Sequence, residues 1–260
     1  MCYEPTARPP LPPIAGGAGP ASGTDIVLRA TDGTRLAAFS ALSSSGTNGP
    51  AIVILPDVRG LHDFYRHLAT RFAEAGIHAT AFDYFGRTAG IGTPEMRGEE
   101  FDYRQHVQQT TPETIALDTA AAVAHVRSAE GGGAEAVFTV GFCFGGRNSF
   151  NQAARGLGLA GVIGFYGVPQ QRGADDTNAP VVLAPSYACP VLGLFGGADH
   201  AIARSDIEAF RQALDSAGVP NELVVYDGAP HSFFDRTFAQ YRKESEDAWN
   251  RMLRFMRDQT

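Results

Sequence analysis

Gly141-Phe142-Cys143-Phe144-Gly145-Gly146 decides the fold of this chain. An apolar run, Ala136-Val137-Phe138-Thr139-Val140, precedes it and has the composition of a buried strand. Arg147 to Arg155 follows and has the composition of a helix start. Strand, Gly-x-nucleophile-x-Gly, helix is the pattern of a nucleophile elbow, here with cysteine as the nucleophile. The turn is so tight that the nucleophile must adopt a strained backbone, and Gly141 and Gly145 leave room where a Cβ would collide. Cys143 then stands at a helix N-terminus, where the positive end of the dipole favours a thiolate. The Phe144 amide faces the space where a carbonyl oxygen would become negative. Taken alone, a cysteine after an apolar run is equally a small packed hydrophobe, so the reading depends on its partners.

Two partners follow in the order Cys143, Asp199, His231. Asp199 closes Gly196-Gly197-Ala198-Asp199-His200 after the apolar run Val191 to Phe195. His231 lies in the loop after Glu222 to Tyr226. Nucleophile, acid, histidine is the chain order of α/β-hydrolases and differs from those of chymotrypsin and subtilisin. His231 would take or hold the thiol proton, and Asp199 would fix the imidazole tautomer. Asp199 alone would be a turn residue and His231 alone a loop histidine. The adjacent His200 suits a helix N-cap or the surface. The other histidines, His62, His67, His78, His106 and His125, lack such a context.

The rest of the chain agrees with that fold class. Thr24 to Ala30 and Arg35 to Leu42 flank Asp32-Gly33, a hairpin signal. Ala51 to Leu55 and Ile77 to Phe82 read as buried strands around a helix over Phe64 to Ala75, closed by Gly76. Phe85 to Gln109 is an irregular excursion with a helix near its end. Pro112 to Ser128 is an Ala-rich helix with Pro112 in its first turn. Further strands are expected over Leu159 to Tyr166, Val191 to Phe195 and Glu222 to Tyr226. Gly167 to Tyr187 reads as a polar, proline-containing loop. Helices are expected over Asp206 to Ala217 and Phe238 to Met256. Alternating strands and helices predict an α/β-hydrolase fold, a mainly parallel doubly wound sheet with helices on both faces. Its active site belongs at the carboxyl ends of the strands.

The 260 residues suffice for one large domain, expected over 23–260, behind a Pro/Gly-rich N-terminal arm over 1–22. A formal charge of −7 with no strong basic cluster argues against nucleic acid and anionic membrane as partners. Three sparse cysteines, no leader-like segment and no long apolar run predict a cytoplasmic protein with a small-molecule substrate. No metal site and no cofactor are expected. Oligomeric state is left open.

The chain resembles dienelactone hydrolases, also called carboxymethylenebutenolidases. The resemblance rests on the Cys143 elbow, on Gly164-Phe165-Tyr166-Gly167-Val168, on Gly196 to His200 and on His231-Ser232-Phe233, with Phe82-Asp83-Tyr84-Phe85-Gly86-Arg87 similar as well. It implies a triad of Cys143, His231 and Asp199, and an oxyanion hole made by the backbone amides of Val58 and Phe144. It also implies nucleophile support at Asp57, where the family usually carries glutamate. The alternative role for Asp57 is a helix cap. In the family an arginine four residues after the histidine binds the substrate carboxylate. This chain has Asp235 there, followed by Arg236, and that acid would repel a carboxylate. Arg236 and Arg104 are the candidate substrate contacts, with Arg87 and Arg97 as alternatives to Arg104.

The expected activity is opening of an ester or lactone, dienelactone-like, through an acyl-enzyme. A thiolate leaves as readily as it attacks, so good leaving groups such as enols and phenols are favoured over amines. One alternative is a general carboxylesterase or thioesterase acting on an uncharged substrate. Another is a non-hydrolytic thiol sensor or binding protein.

Overall fold

Asp32-Gly33 does what its composition predicts. Gly33 takes φ +89°, the Asp32 carboxylate accepts the Thr34 amide at 3.0 Å, and two strands pair antiparallel around the turn. These are β1 (Gly23–Arg29) and β2 (Arg35–Ala41). The remaining strands are β3 (Ala51–Leu55), β4 (His78–Phe82), β5 (Val137–Phe142), β6 (Gly161–Phe165), β7 (Val191–Gly196) and β8 (Asn221–Tyr226). Together they form an eight-stranded sheet in the order β1-β2-β4-β3-β5-β6-β7-β8. β2 also meets β4 antiparallel, and every pairing from β4 to β8 is parallel. The computed structural model describes residues 21–44, 46, 48–92 and 101–260. The expected arm over 1–22 therefore lies, but for its last two residues, outside the described residues, as does Arg97.

β3 is apolar throughout because both faces of the sheet are covered. Ile52 and Ile54 face one core, and Ala51, Val53 and Leu55 face the other. The helices are α1 (Asp63–Glu74), α2 (Gly86–Ala89), α3 (Tyr103–Val107), α4 (Pro112–Arg127), α5 (Phe144–Gln152), α6 (Pro180–Leu183), α7 (Arg204–Ser216) and α8 (Arg242–Asp258). α1 and α8 pack on the Ile52 face, where Phe72 meets Trp249 with ring centroids 4.9 Å apart. α4 packs on the opposite face through Ile115, Ala122, Val123 and Val126. Thr111 caps α4 in a capping box with Thr114, and Pro112 occupies its first turn. Among the described residues no helix is long and apolar enough to cross a membrane.

Three helices differ from the sequence expectation, among them α6, which forms inside the stretch expected as a loop over Gly167 to Tyr187. The elbow helix begins at Phe144 rather than Arg147, so Cys143 is itself the N-cap. The last helix begins at Arg242 rather than Phe238, because turns continue through residue 240. Four consecutive residues there, Ser232 to Asp235, are buried. The amides of Asp235, Thr237, Phe238 and Gln240 bond three or five residues back, so no regular α-helical ladder forms before α8 starts.

Candidate active site

β5, β6, β7 and β8 are neighbours in the sheet, and each is followed by a residue of the candidate site. Their carboxyl ends deliver Cys143, Tyr166, Asp199 and His231 to one edge, the edge where such sheets bind ligands.

Cys143 adopts φ +57° and ψ −111°. Its amide donates to the Phe165 carbonyl at 3.0 Å, and its carbonyl accepts the Arg147 amide at 3.2 Å. The turn is thereby pinned on both sides. A Cβ at Gly141 would strike the Gly145 carbonyl, and one at Gly145 would strike the carbonyls of Leu55 and Pro56 at the end of β3. Besides Asn48, the positive-φ residues other than glycine among the described residues are Cys143, Tyr166 and Ser232. All three line the same cavity, of about 540 Å³. Such conformations cost about 1–3 kcal/mol each and collect at functional sites.

Asp199 and His231 also line that cavity. Nδ1 of His231 lies 2.6 Å from Oδ2 of Asp199, whose side chain is buried. Oδ1 of Asp199 accepts the Ala201 amide at 2.8 Å. With both oxygens engaged, the carboxylate is fixed in rotation and holds the imidazole by Nδ1. That bond favours the tautomer with its proton on Nδ1, so that Nε2 is the basic nitrogen. Tyr166 packs against the imidazole with ring centroids 4.8 Å apart.

Phe144 is the first residue of α5, so its amide has no partner within the helix. Val58 lies in the turn closed by the Gly60 amide on the Asp57 carbonyl at 3.1 Å. Among the described residues neither the Phe144 nor the Val58 amide donates to a backbone carbonyl.

Asp57 does not cap a helix: the α1 cap is His62, which accepts the Phe64 amide. Instead Asp57 is buried, and its Oδ1 accepts the Arg59 amide at 2.9 Å. That bond stiffens the turn carrying Val58. Oδ2 of Asp57 is buried without a hydrogen-bond partner, and Nη2 of Arg59 lies 3.5 Å away. Burial raises the Asp57 pKa, and Arg59 opposes the rise.

Asp235 is turned inward and is absent from the cavity wall. Its Oδ2 accepts the Tyr166 hydroxyl at 3.0 Å, and its Oδ1 accepts the Arg236 amide. Burial pushes its pKa up to about 7. Asp235 thus points away from the cavity wall, where a substrate anion would sit. Arg236 does line the cavity, and so does Arg172.

Arg104 does not reach this cavity. It stands exposed on α3, its guanidinium 5.9 Å from the Tyr103 ring. Arg87 is committed elsewhere, to Asp118 and Asp32. His200 lines the cavity but is not a cap, since the α7 cap is Ala203. Cys189 is buried, and burial alone pushes its thiol up to about 12, which marks it as a packing residue. Sequence reading missed Arg172 and the contacts of Tyr166. Arg172 lay in a polar loop with no motif to single it out. Tyr166 did carry a signal, since it directly follows the strand beside the elbow.

An open-edged parallel sheet with a nucleophile elbow and an acid–histidine pair after later strands places the molecule among the α/β-hydrolases. The family model described as "Dienelactone hydrolase family" matches residues 36–260, and the chain belongs to that family. It is thus an enzyme, a hydrolase. It is 28% identical to the carboxymethylenebutenolidase of Rhodococcus opacus, over 98% of this chain and 96% of the relative. Identity is also 28% to a protein of Escherichia coli O157:H7 named "Putative carboxymethylenebutenolidase", over 94% of each chain. Among solved structures it is similar to "Putative Dienelactone Hydrolase" from Klebsiella pneumoniae, with a TM-score of 0.77 and 27% identity over 92% of this chain and 99% of that one.

Proposed function

We propose that the protein opens an ester or lactone by nucleophilic catalysis at Cys143. The observation that carries this reading is the His231–Asp199 hydrogen bond at 2.6 Å, on the wall of the cavity that also holds Cys143 at the N-terminus of α5. In the proposed cycle the Cys143 proton passes to Nε2 of His231, and Sγ attacks the acyl carbon. The carbonyl π pair moves to oxygen and is held by the Val58 and Phe144 amides. Collapse expels the alkoxide or enolate, which takes the proton from His231, and leaves a thioester on Cys143. Water, deprotonated by the same imidazole, attacks the thioester. The thiolate then leaves, and the acid is released. Asp199 keeps the imidazole oriented and stabilises its cationic form. No step calls for a metal or an organic cofactor.

The substrate class that best suits the cavity is an enol lactone carrying a carboxylate. Arg172 and Arg236 supply two cations on its wall, and Asp235 is withdrawn from it. The arginine role thus passes from the family position to its neighbour Arg236, with Arg172 as the second cation. The test is steady-state hydrolysis of a dienelactone carboxylate beside a neutral p-nitrophenyl ester. Cys143-dependent preference for the dienelactone supports the reading, and Arg172→Gln and Arg236→Gln should each raise KM for it alone. Turnover of the neutral ester alone would overturn the carboxylate assignment. Turnover of neither would overturn the hydrolytic reading of the site.

A further inference from the structure

His231 is held from a second direction. Asp199 fixes Nδ1 along the edge of the ring, while the Tyr166 ring packs against the imidazole at a tilt of 51°. Tyr166 is an improbable residue for its position: it is fully buried, and its φ is +38°. Such a backbone persists only where the surroundings hold it, here the Leu194 carbonyl on the Tyr166 amide and a tie on the side chain. The tie is its hydroxyl, which donates to Asp235 at 3.0 Å. Asp235 in turn belongs to the His231 loop, four residues on, and its own amide donates to the Ser232 carbonyl at 3.3 Å. The loop thus closes on itself through Tyr166: His231 against the ring, Asp235 on the hydroxyl.

We propose that Asp235 is a positioning residue for His231, holding the imidazole over Cys143 through Tyr166 and, when ionised, stabilising the imidazolium. This rests on the reading of His231 as the base of the reaction.

The charge around Asp235 makes the device pH-sensitive. Facing it are Asp57 from the turn after β3, Tyr65 from α1, Tyr166 from the end of β6, and His231 from its own loop. Burial raises the Asp235 pKa most, and Asp57 adds to the rise. The Arg236 amide, the Tyr166 hydroxyl and His231 oppose it, leaving the group at about 7. Burial and Asp235 together push the Tyr166 phenol upward, so it stays a donor across the working range. Near neutrality Asp235 therefore passes from a neutral support to an anion beside the imidazole. An anion there interacts favourably with the protonated imidazole.

Asp235→Asn keeps the size and hydrogen-bonding character of the side chain but removes the charge. Tyr166→Phe removes the tie and keeps the ring. Two readouts separate positioning from mere structural support. The first is an NMR titration of the His231 imidazole in the wild type and in Asp235→Asn, assigned with His231→Gln. The second is the pH profile of hydrolysis of the better of the two esters above. Asp235→Asn should lower the His231 pKa by about half a pH unit or more and move the acid limb of kcat/KM down with it. Tyr166→Phe should lower kcat about tenfold with KM within about twofold, the signature of a misplaced catalytic group. An unchanged His231 titration in a folded Asp235→Asn protein would overturn the proposal. So would wild-type kcat in folded Tyr166→Phe. If one variant does not fold, the other decides. The NMR titration does not depend on turnover, so a shifted His231 pKa in an enzyme inactive on both esters would leave the coupling standing and overturn only the reaction assigned to it.

Discussion

At the scale of single residues, the site sets a hierarchy. Cys143 makes and breaks the covalent bond in the proposed cycle, His231 moves the protons, and Asp57 supports the turn that carries Val58. Cys143→Ala should abolish hydrolysis while the unfolding midpoint stays near wild type, because truncation removes one half-buried sulfur and leaves the backbone bonds of the elbow in place. His231→Ala should cost about 10³-fold or more in kcat, the range for loss of a general base. Asp57→Ala should be milder, about tenfold, because it loosens one amide of the proposed oxyanion hole and relieves a buried, under-bonded carboxylate. Equal losses in the two would show that Asp57 takes part directly in the chemistry. Cys143 and His231 were legible in the sequence from their places after apolar strands, Asp57 only through the family resemblance. What Asp57 does there was not legible. Helix cap and nucleophile support both suited the sequence, whereas its bond to the Arg59 amide depends on how the turn folds.

At the scale of elements, close backbone packing makes two glycines unequal. Gly145→Ala would drive a methyl into the backbone carbonyls of Leu55 and Pro56, which cannot yield without displacing β3 from the elbow. Its loss in stability should exceed about 3 kcal/mol in denaturant unfolding. Gly33→Ala meets nothing within 4 Å and suffers only from φ +89°, so it should cost about 1 kcal/mol. The central strands β3 to β7 were legible because burial on both faces forces continuous apolar runs, and such runs stand out. α1 and α4 were legible from their period and their terminal Gly76 and Pro112. The start of α8 was not. Phe238 to Tyr241 suits a helix by composition, but the chain there is still in the irregular turns that follow His231, which no local pattern encodes. Arg104 fails as a substrate contact for a related reason. α3 is a five-residue helix in an irregular excursion, and its facing is set by tertiary contacts that no local pattern encodes.

At the scale of the whole molecule, the buried acids give stability a slope in pH. Asp235 has a folded pKa of about 7 against an ordinary carboxyl value of 3.8. Between those values the native state holds more protons than the unfolded chain, so the free energy of unfolding falls as pH rises through the window. The native state is therefore favoured near pH 5 and penalised above 7. Urea unfolding should show a loss on the order of 2 kcal/mol between pH 5 and pH 8, with a smaller loss in Asp235→Asn. An equal slope in the two proteins would show that Asp235 is not the group responsible. The same burial that creates this slope withdraws Asp235 from the cavity and leaves Arg236 and Arg172 on its wall. The sheet, the elbow and the Asp199–His231 pair all serve one claim, that Cys143 carries the acyl group. Mass spectrometry of the enzyme quenched in acid during turnover of an activated ester tests it most directly. The account predicts one acyl group per chain, on the peptide bearing Cys143, absent in Cys143→Ala and discharged in time by water. Turnover without that adduct in Cys143→Ala at the wild-type rate, or an acyl group on Cys189 instead, would contradict it.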